Sequence, residues 1–246
     1  MIIQSTQNPN VKHVVHLHNK NFRAQHNEFI AQGLKTCLTL QEAGYTIKSI
    51  FMTEKMYALH QDQFLVPETH LVTDAIMQHM STTTTTAGIL AVVTMVHHPL
   101  IATSNAAVLY GIQDPGNLGT LIRTASAMQL DTLYLIESVD LYNPKVIQAT
   151  TGALGTLKII ATSWDELQPV IAATATCALV VKSGQRPENL PLKSSILVIG
   201  NEGQGLPEHV IKHCTYQMTI PMPGNTESLN AAVAGSIAMY LKMNAA

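Results

Sequence analysis

One arginine follows a short loop in a segment that is otherwise apolar. The segment Asp114-Pro-Gly-Asn-Leu-Gly-Thr-Leu-Ile-Arg123 contains a Pro-Gly turn that leads into a predicted helix, whose amino end Asn117 can cap. Arg123 then lies in the second turn, where side chains lean back towards the loop. Such an arginine can bind an anion or stabilise charge during a reaction. The alternative is a structural arginine with a packed stem and its head at the surface.

A glycine-rich loop follows the apolar run at residues 196–199. Its sequence is Gly200-Asn-Glu-Gly-Gln-Gly205, with Glu202 between two of the glycines. Three glycines allow a tight turn and a close approach of the backbone to a ligand. The spacing differs from the GxGxxG of dinucleotide-binding folds, and no GK[ST] follows as in a P-loop. The sequence leaves open a ligand contact and an ordinary turn.

A third segment, residues 220–235, contains two prolines and a glycine before a helix rich in alanine. The prolines and the glycine predict a rigid loop. Ser228 or a near neighbour can cap the helix, and Asn230 is expected in its first turn. The small side chains allow the helix to pack closely against another surface. A plain contact between helix and sheet is the alternative.

Each of these segments follows a strand in a predicted alternation of strands and helices. The strands are predicted at residues 106–112, 132–138, 157–162, 177–183, 196–200 and 217–222, and the helices at 118–128, 144–150, 165–173, 207–212 and 229–242. Short apolar strands separated by helices predict an α/β fold with a parallel sheet covered on both faces. Such a sheet binds its ligand at the carboxyl ends of its strands, where the three segments lie.

A different pattern precedes residue 98. Helices are predicted at residues 11–18, 33–43, 55–60 and 74–80, and strands at 45–52 and 89–96. The His-His-Pro sequence at 97–99 and the small polar stretch that follows it indicate a boundary. We therefore expect a first domain at 1–98, a linker at 99–105 and a second domain at 106–246.

The composition is that of a globular protein with little charge. Of 246 residues, 46% are hydrophobic and 12% charged, and the net charge is −2. This balance argues against a generally cationic binder of nucleic acid or membranes, although it allows a local basic groove. No apolar stretch reaches the ~20 residues of a membrane span, and the start lacks the pattern of a secretory signal. Cys37, Cys177 and Cys214 lie far apart, so a reducing cytoplasm is expected.

Taken together and in this order, the three segments resemble those of a known enzyme family. DPGNLGTLIRTA, ILVIGNEGQGL and TIPMPGNTESLNAAVAGSIAMY are similar to motifs one, two and three of the SpoU-type (TrmH-like) RNA ribose methyltransferases of the SPOUT superfamily. The resemblance extends over residues 106–242. Residues 8–33 more weakly resemble the start of the ribosomal-protein-like RNA-binding domain that many members carry.

The resemblance implies a fold and a cofactor that the spacing alone does not predict. Family members bind S-adenosylmethionine in a deep trefoil knot and transfer its methyl group to a ribose 2′-hydroxyl. The family contacts the cofactor largely through backbone atoms, at positions that correspond to Gly200, Ile220 and Leu229. We add the neighbouring Asn201, Gly203 and Met222 as expected cofactor-binding residues. No metal site is expected.

The resemblance also implies the catalytic residues, which are Arg123, Asn117, Glu202, Ser228 and Asn230. Transfer to a ribose hydroxyl needs proton removal and in-line positioning, because the hydroxyl is a weak nucleophile. The family gives the arginine the central role. Since arginine is normally always protonated, we favour positioning and charge stabilisation over a true base. The two asparagines and Ser228 would orient the arginine and the ribose, and Glu202 would hold the arginine or shape its loop.

The front segment combines basic residues with four histidines. A solvated helix face is the plain interpretation, and the histidine spacing does not match a zinc finger. With the resemblance, we expect Lys12, Lys20 and Arg23 to contact RNA phosphates. The front domain is typical of members that act on ribosomal RNA, so large-subunit rRNA is favoured over tRNA. Gln32 replaces an acidic residue of the commoner pattern, and residues 82–86 form a low-complexity loop, which leaves the target RNA open.

The resemblance further implies a homodimer that pairs through C-terminal helices. The small residues of the last helix are compatible with close contact and comprise Ala231, Ala232, Ala234, Gly235 and Ala238. Two other functions compete. A nucleotide-binding oxidoreductase would need a GxGxxG fingerprint that the sequence lacks. A catalytically silent RNA-binding or ribosome-assembly protein is disfavoured by the presence of all five polar motif residues.

Overall fold

The apolar runs of the sequence form strands in a computed structural model that describes residues 2–83, 85–201, 203–224 and 227–245. The strands are β1 (Ile2–Ile3), β2 (Glu28–Gln32), β3 (Ile47–Met52), β4 (Glu68–Val72), β5 (Ile89–Thr94), β6 (Ala106–Tyr110), β7 (Thr132–Ile136), β8 (Lys158–Ala161), β9 (Thr176–Leu179), β10 (Ile196–Ile199) and β11 (Tyr216–Met218). The α-helices are α1 (Pro9–His16), α2 (Lys20–His26), α3 (Leu34–Glu42), α4 (Glu54–His60), α5 (Asp74–Met80), α6 (Pro115–Ala127), α7 (Pro144–Thr150), α8 (Trp164–Ile171), α9 (Glu208–His213) and α10 (Ala231–Met243).

The chain forms two compact units. The first contains residues 2–96 and 140–155, and the second contains residues 97–139 and 156–245. The expected boundary lies near residues 98–105, and the second unit begins at residue 97. The expected second domain differs from the structure at residues 140–155, which pack with the first unit.

The first unit has a five-stranded sheet in the order β1-β4-β3-β5-β2. β4 runs parallel to β1 and β3, while β5 runs antiparallel to β2 and β3. Apolar side chains of α1 and α5 cover one face, where Val14 and Met77 pack into a core with Phe51 and Leu90. The strands β2 and β4 were not predicted, because each carries polar residues that hide the apolar pattern.

Residues 140–155 join the first unit through buried aromatic and aliphatic contacts. The rings of Tyr142 and Phe29 lie 4.8 Å apart, and the Tyr142 hydroxyl donates to the Val96 carbonyl at 2.7 Å. Val146 and Ile147 of α7 are fully or almost fully buried, and α7 packs beside β2. The alternation of strands and helices predicts α7 correctly but cannot show which sheet it covers.

The second unit has a six-stranded, all-parallel sheet in the order β11-β9-β10-β6-β7-β8. This architecture confirms the predicted α/β fold. Trp164 and Leu167 of α8 and Val210 of α9 pack on one face, against residues such as Tyr134. The deep knot implied by the resemblance stays a prediction. Among the described residues, no helix has the length and apolar character to cross a membrane.

Helices α6 and α10 pack together on the other face of this sheet. A Cβ atom at Gly235 would lie 2.6 Å from Leu121 Cδ2 and 3.2 Å from Ile199 Cδ1, so only glycine allows α10 to approach this closely. The hydroxyls of Thr124 and Ser236 form a hydrogen bond of 2.9 Å between the two helices. The amino ends of α6 and α10 are thereby held side by side.

A buried lysine fixes the last turn of α10. Lys242 is 3% exposed, and its ammonium donates to backbone carbonyl oxygens at 2.8 to 3.0 Å. The acceptors belong to Ser104, Leu192, Lys193 and Ser195. One side chain therefore joins α10 to the segment before β6 and to the loop before β10.

We expect Lys242→Met to lower the free energy of unfolding by about 2 kcal/mol, because several buried carbonyls lose their donor. Burial lowers the pKa of Lys242 to about 8 from its ordinary value of 10.5. Between these values the unfolded chain binds more protons than the folded one, so the wild type gains stability relative to the variant as pH rises. Urea unfolding of both proteins near pH 7 and near pH 10 measures this difference. Equal stability of the two proteins would contradict the role of Lys242.

Candidate active site

A cavity of about 450 Å³ lies at the carboxyl ends of β9, β10 and β11. The six residues expected to bind a cofactor all line it, and they are Gly200, Asn201, Gly203, Ile220, Met222 and Leu229. Ser228 lines it as well. The second and third motif segments therefore enclose one space, at the edge of the sheet where a parallel fold binds its ligand.

β9 supplies a part of the wall that lies outside the three motif segments. Residues 179–182 line the cavity, including the exposed Lys182, and so does Glu227. β9 lies between β11 and β10 in the sheet, so its carboxyl end falls between the two predicted loops. Strand order is a long-range property, and the only signal in the sequence was the apolar run that precedes Lys182.

The glycine-rich loop is packed tightly against its own backbone. A Cβ atom at Gly200 would lie 2.5 Å from the carbonyl carbon of Gly205 and 2.6 Å from the amide nitrogen of Leu206. Gly205 has a φ of +67°, a conformation that favours glycine. The two glycines thus allow the loop to close on itself and to present its backbone to the cavity.

The side chain of Asn201 braces this loop. Its Nδ2 donates to the carbonyl of Gly111 at 2.7 Å, and its Oδ1 accepts from the amides of Gly203 at 2.7 Å and Gln204 at 3.3 Å. Gly111 directly follows β6. The side-chain amide of Asn201 therefore joins the loop after β10 to the residues that lead into the first motif segment. Asn201 therefore lines the cavity while its amide shapes the loop. Glu202, an expected catalytic residue, lies outside the described residues.

Two of the expected catalytic residues meet at the amino ends of α6 and α10. The side-chain Nδ2 of Asn230 donates to Oδ1 of Asn117 at 3.2 Å. Asp114 caps α6 by accepting from the amide of Asn117, whereas the sequence suggested Asn117 itself as the cap. Asn230 had been expected in the first turn of α10. It is instead the cap residue, one position before that turn. Asp114 therefore caps the backbone of α6, while the side-chain carbonyl of Asn117 accepts from Asn230.

Arg123 lies apart from this pair. Its side chain is exposed on α6, and within the described ranges its guanidinium forms no hydrogen bond or ion pair. It does not line the cavity. The structure thus brings together Asn117 with Asn230, and Ser228 with the cofactor residues, and leaves the arginine head accessible to a ligand from solvent.

In the front segment, the structure separates the three expected RNA contacts. Lys12 and Lys20 are exposed, whereas Arg23 is 2% exposed. The Arg23 guanidinium donates to the carbonyls of Leu17 and His18, both at 2.8 Å, and forms an ion pair with Asp140. Arg23 holds the turn between α1 and α2, so its prediction as a phosphate contact is wrong.

Comparison with known proteins gives two family matches. The profile of the SpoU rRNA Methylase family matches residues 104–240, and the profile of an MRM3-like substrate binding domain matches residues 8–91. These ranges contain the three motif segments and the front segment respectively. Each range lies largely within one compact unit.

Individual proteins match over nearly the whole chain. An uncharacterized tRNA/rRNA methyltransferase of Synechocystis is 30% identical, over 97% of this chain and 92% of its own length. The 23S rRNA (guanosine(2553)-2′-O)-methyltransferase RlmP of Bacillus subtilis is 28% identical, over 97% of each protein. The structure of an AdoMet-bound rRNA methyltransferase from Sinorhizobium meliloti superposes with a TM-score of 0.88 at 24% identity, over 98% of this chain and 97% of that one. This last likeness supports the fold.

Proposed function

Because this chain belongs to the SpoU rRNA methylase family, we propose that it transfers a methyl group from S-adenosylmethionine to a ribose 2′-hydroxyl of RNA. The observation that carries the proposal is that one cavity is lined by all six residues expected to bind the cofactor. A 2′-O-methyltransferase that matches this chain over 97% of both lengths gives the same reaction type.

The residues of the cavity fit the proposed cofactor. Its volume of about 450 Å³ lies in the range of small-molecule sites. Val180, Ile220 and Leu229 offer apolar contacts for an adenine ring, and the backbone at Gly200 can approach closely because no side chain intervenes. S-adenosylmethionine supplies an electrophilic methyl group on a positively charged sulfur. The chain itself supplies binding and orientation.

The polar residues near the amino ends of α6 and α10 would act on the ribose. The side chains of Asn117 and Asn230 are hydrogen-bonded to each other, and side-chain amides of this kind can orient a ribose hydroxyl. Ser228, exposed at the cavity wall, can donate to or accept from the same sugar. Arg123 would bind a neighbouring phosphate and stabilise negative charge that develops on the attacking oxygen.

The proposed substrate is large-subunit rRNA. The support is the match of residues 8–91 to a substrate binding domain and the 23S rRNA activity named for the Bacillus subtilis relative. Mapping ribose methylation in ribosomal and transfer RNA, with and without the gene, tests this choice. We expect the loss of a 2′-O-methyl group from large-subunit rRNA. Loss from tRNA would redirect the proposal to tRNA, and no loss in either RNA would favour a silent RNA-binding protein.

We also propose a homodimer formed through α10. Of the small residues of this helix, Ala231, Ala232, Gly235 and Ala238 are buried within the unit and Ala234 is partly buried, so other residues must supply most of the contact. Val233, Tyr240 and Met243 are instead exposed on α10 by 46 to 54%. Light scattering should give twice the chain mass of 26.7 kDa.

A cytoplasmic location is part of the proposal, and the free thiols of all three cysteines support it.

The two exposed lysines of the front segment should contribute to RNA affinity through phosphates. In the double variant Lys12→Ala, Lys20→Ala we expect weaker RNA binding. The slope of log affinity against log salt should become shallower by roughly 1.5, since each phosphate contact adds about 0.7 to 0.9. Filter binding at several salt concentrations measures the slope. The matched control replaces Lys35 and Lys55, which are exposed elsewhere on the same unit. An unchanged slope in the first variant would remove these lysines from the interface.

A further inference from the structure

Helices α1 and α2 bring three imidazole rings around one phenyl ring. The ring centroid of Phe22 lies 4.1 Å from that of His26, 5.2 Å from that of His16 and 5.4 Å from that of His13. His13 and His26 also contact each other, at 5.1 Å. The phosphate contacts proposed above for Lys12 and Lys20 do not involve this aromatic group.

The group borders an open hollow at the surface of the first unit, which we call the α1–α2 hollow. Its volume is about 730 Å³, and it is lined by Val15, His16, His18, Asn19, Asn21, Phe22 and Gln25. The floor is aromatic and apolar, and the rim carries side-chain amides. A planar ligand with polar edges fits such a surface better than an aliphatic side chain does.

Phe22 and its neighbour His13 are held in place before any ligand binds. Phe22 packs on the core of the first unit. Nε2 of His13 lies 2.6 Å from the buried carboxylate of Glu28, which also accepts from Lys48 at 2.6 Å. Burial alone would raise the pKa of Glu28, but these two hydrogen bonds outweigh it and the pKa lies below its usual value. Glu28 thus keeps its charge and anchors His13.

The charge around the hollow favours a polyanion. Residues 1–27 contain no aspartate or glutamate, although the chain as a whole has a net charge of −2. Lys12 and Lys20 are exposed on α1 and α2. The first acidic residue of the chain, Glu28, is buried and paired with His13 and Lys48. Asp140 is paired with Arg23. Positive charge next to an aromatic floor is the combination that binds single-stranded nucleic acid.

We propose that the α1–α2 hollow binds one unpaired nucleobase of the substrate RNA, which contacts the rings of Phe22 and His16. Because these two rings lie at 65° to each other, the base stacks on one of them and meets the other at an angle. The inference rests on the proposed function, since it assigns a contact to the same RNA. The amides of Asn21 and Gln25 would face the edge of the base, while the two lysines would contact flanking phosphates. The protein has few basic residues, and the contact between the base and the rings adds RNA affinity that does not depend on charge.

The test compares variants that keep or lose the ring at each of two positions. Phe22→Leu and His16→Ala should each weaken binding to an unmodified transcript of large-subunit rRNA by about tenfold. Phe22→Tyr and His16→Phe retain a ring and should bind within about twofold of the wild type. Since stacking involves no counterion release, Phe22→Leu should leave the salt slope unchanged.

Two further readings separate the possible outcomes. S-adenosylmethionine affinity and thermal unfolding of each variant report whether the cofactor site and the fold are intact. If the wild type binds and methylates the transcript and intact Phe22→Leu and His16→Ala bind equally well, the inference is overturned and the proposed function stands. Equal losses in the ring-retaining and ring-removing variants would also overturn it. If the wild type neither binds nor methylates the transcript, both are overturned.

Discussion

Replacing Arg123 with alanine should lower the rate of methyl transfer at least a hundredfold and leave the affinity for S-adenosylmethionine within about twofold. The loss follows because the guanidinium is the group expected to stabilise charge on the attacking ribose oxygen and to hold a phosphate. The cofactor affinity should persist because Arg123 is exposed and does not line the cavity. Single-turnover transfer of a labelled methyl group, together with calorimetric titration of the cofactor, measures the two effects.

Two further variants make this result specific. Arg123→Lys keeps one positive charge but loses the planar set of donors, so partial recovery would indicate a role for charge and no recovery a role for geometry. Arg186→Ala removes another exposed arginine from the same unit and should retain normal transfer. Near-normal turnover of Arg123→Ala would remove Arg123 from the catalytic residues.

Replacing Gly200 with alanine should weaken S-adenosylmethionine binding by a factor of ten or more. The added methyl group would lie 2.5 to 2.7 Å from backbone atoms of Gly205 and Leu206, so the loop that forms one wall of the cavity must move. The neighbouring Gly203 lines the same cavity, and Gly203→Ala is a matched comparison for the packing of the loop, since among the described residues its Cβ would approach only Oδ1 of Asn201, at 3.5 Å. We expect this variant to bind the cofactor within about threefold of the wild type.

Calorimetric titration measures both glycine variants, and hydrogen exchange of residues 200–205 reports whether the loop has shifted. The fold should survive in each, because the strand β10 precedes the substituted position and keeps its pairing with β6 and β9. If Gly200→Ala and Gly203→Ala bound the cofactor equally well, the tight packing of the loop would not be what shapes the site.

Local patterns in the sequence predicted much of the second unit. Its strands are short and apolar because both faces of the parallel sheet are buried. The sequence therefore shows short apolar runs that alternate with predicted helices. The second and third motif loops then follow two of the strands that end at the cavity, β10 and β11. Strand order depends on contacts distant in sequence, so the wall at residues 179–182 was missed.

Arg23 illustrates a different limit. Its neighbours Lys20 and His26 suggested a basic surface, but its partner Asp140 lies 117 positions away and was assigned to the other domain. A buried pairing of this kind leaves no local pattern. The same is true of β2, whose first residue, Glu28, is polar in sequence yet buried by its contacts with His13 and Lys48.

The most direct test of the proposed function is the identity of the product. Purified protein is incubated with S-adenosylmethionine and, in separate reactions, with unmodified large-subunit rRNA and transfer RNA, and the digested nucleosides are identified by mass spectrometry. The proposed function predicts a single type of 2′-O-methylated nucleoside, absent from the reaction with Arg123→Ala. A methyl group on a base instead of the ribose, or no methylated nucleoside from either ribosomal or transfer RNA, would contradict it.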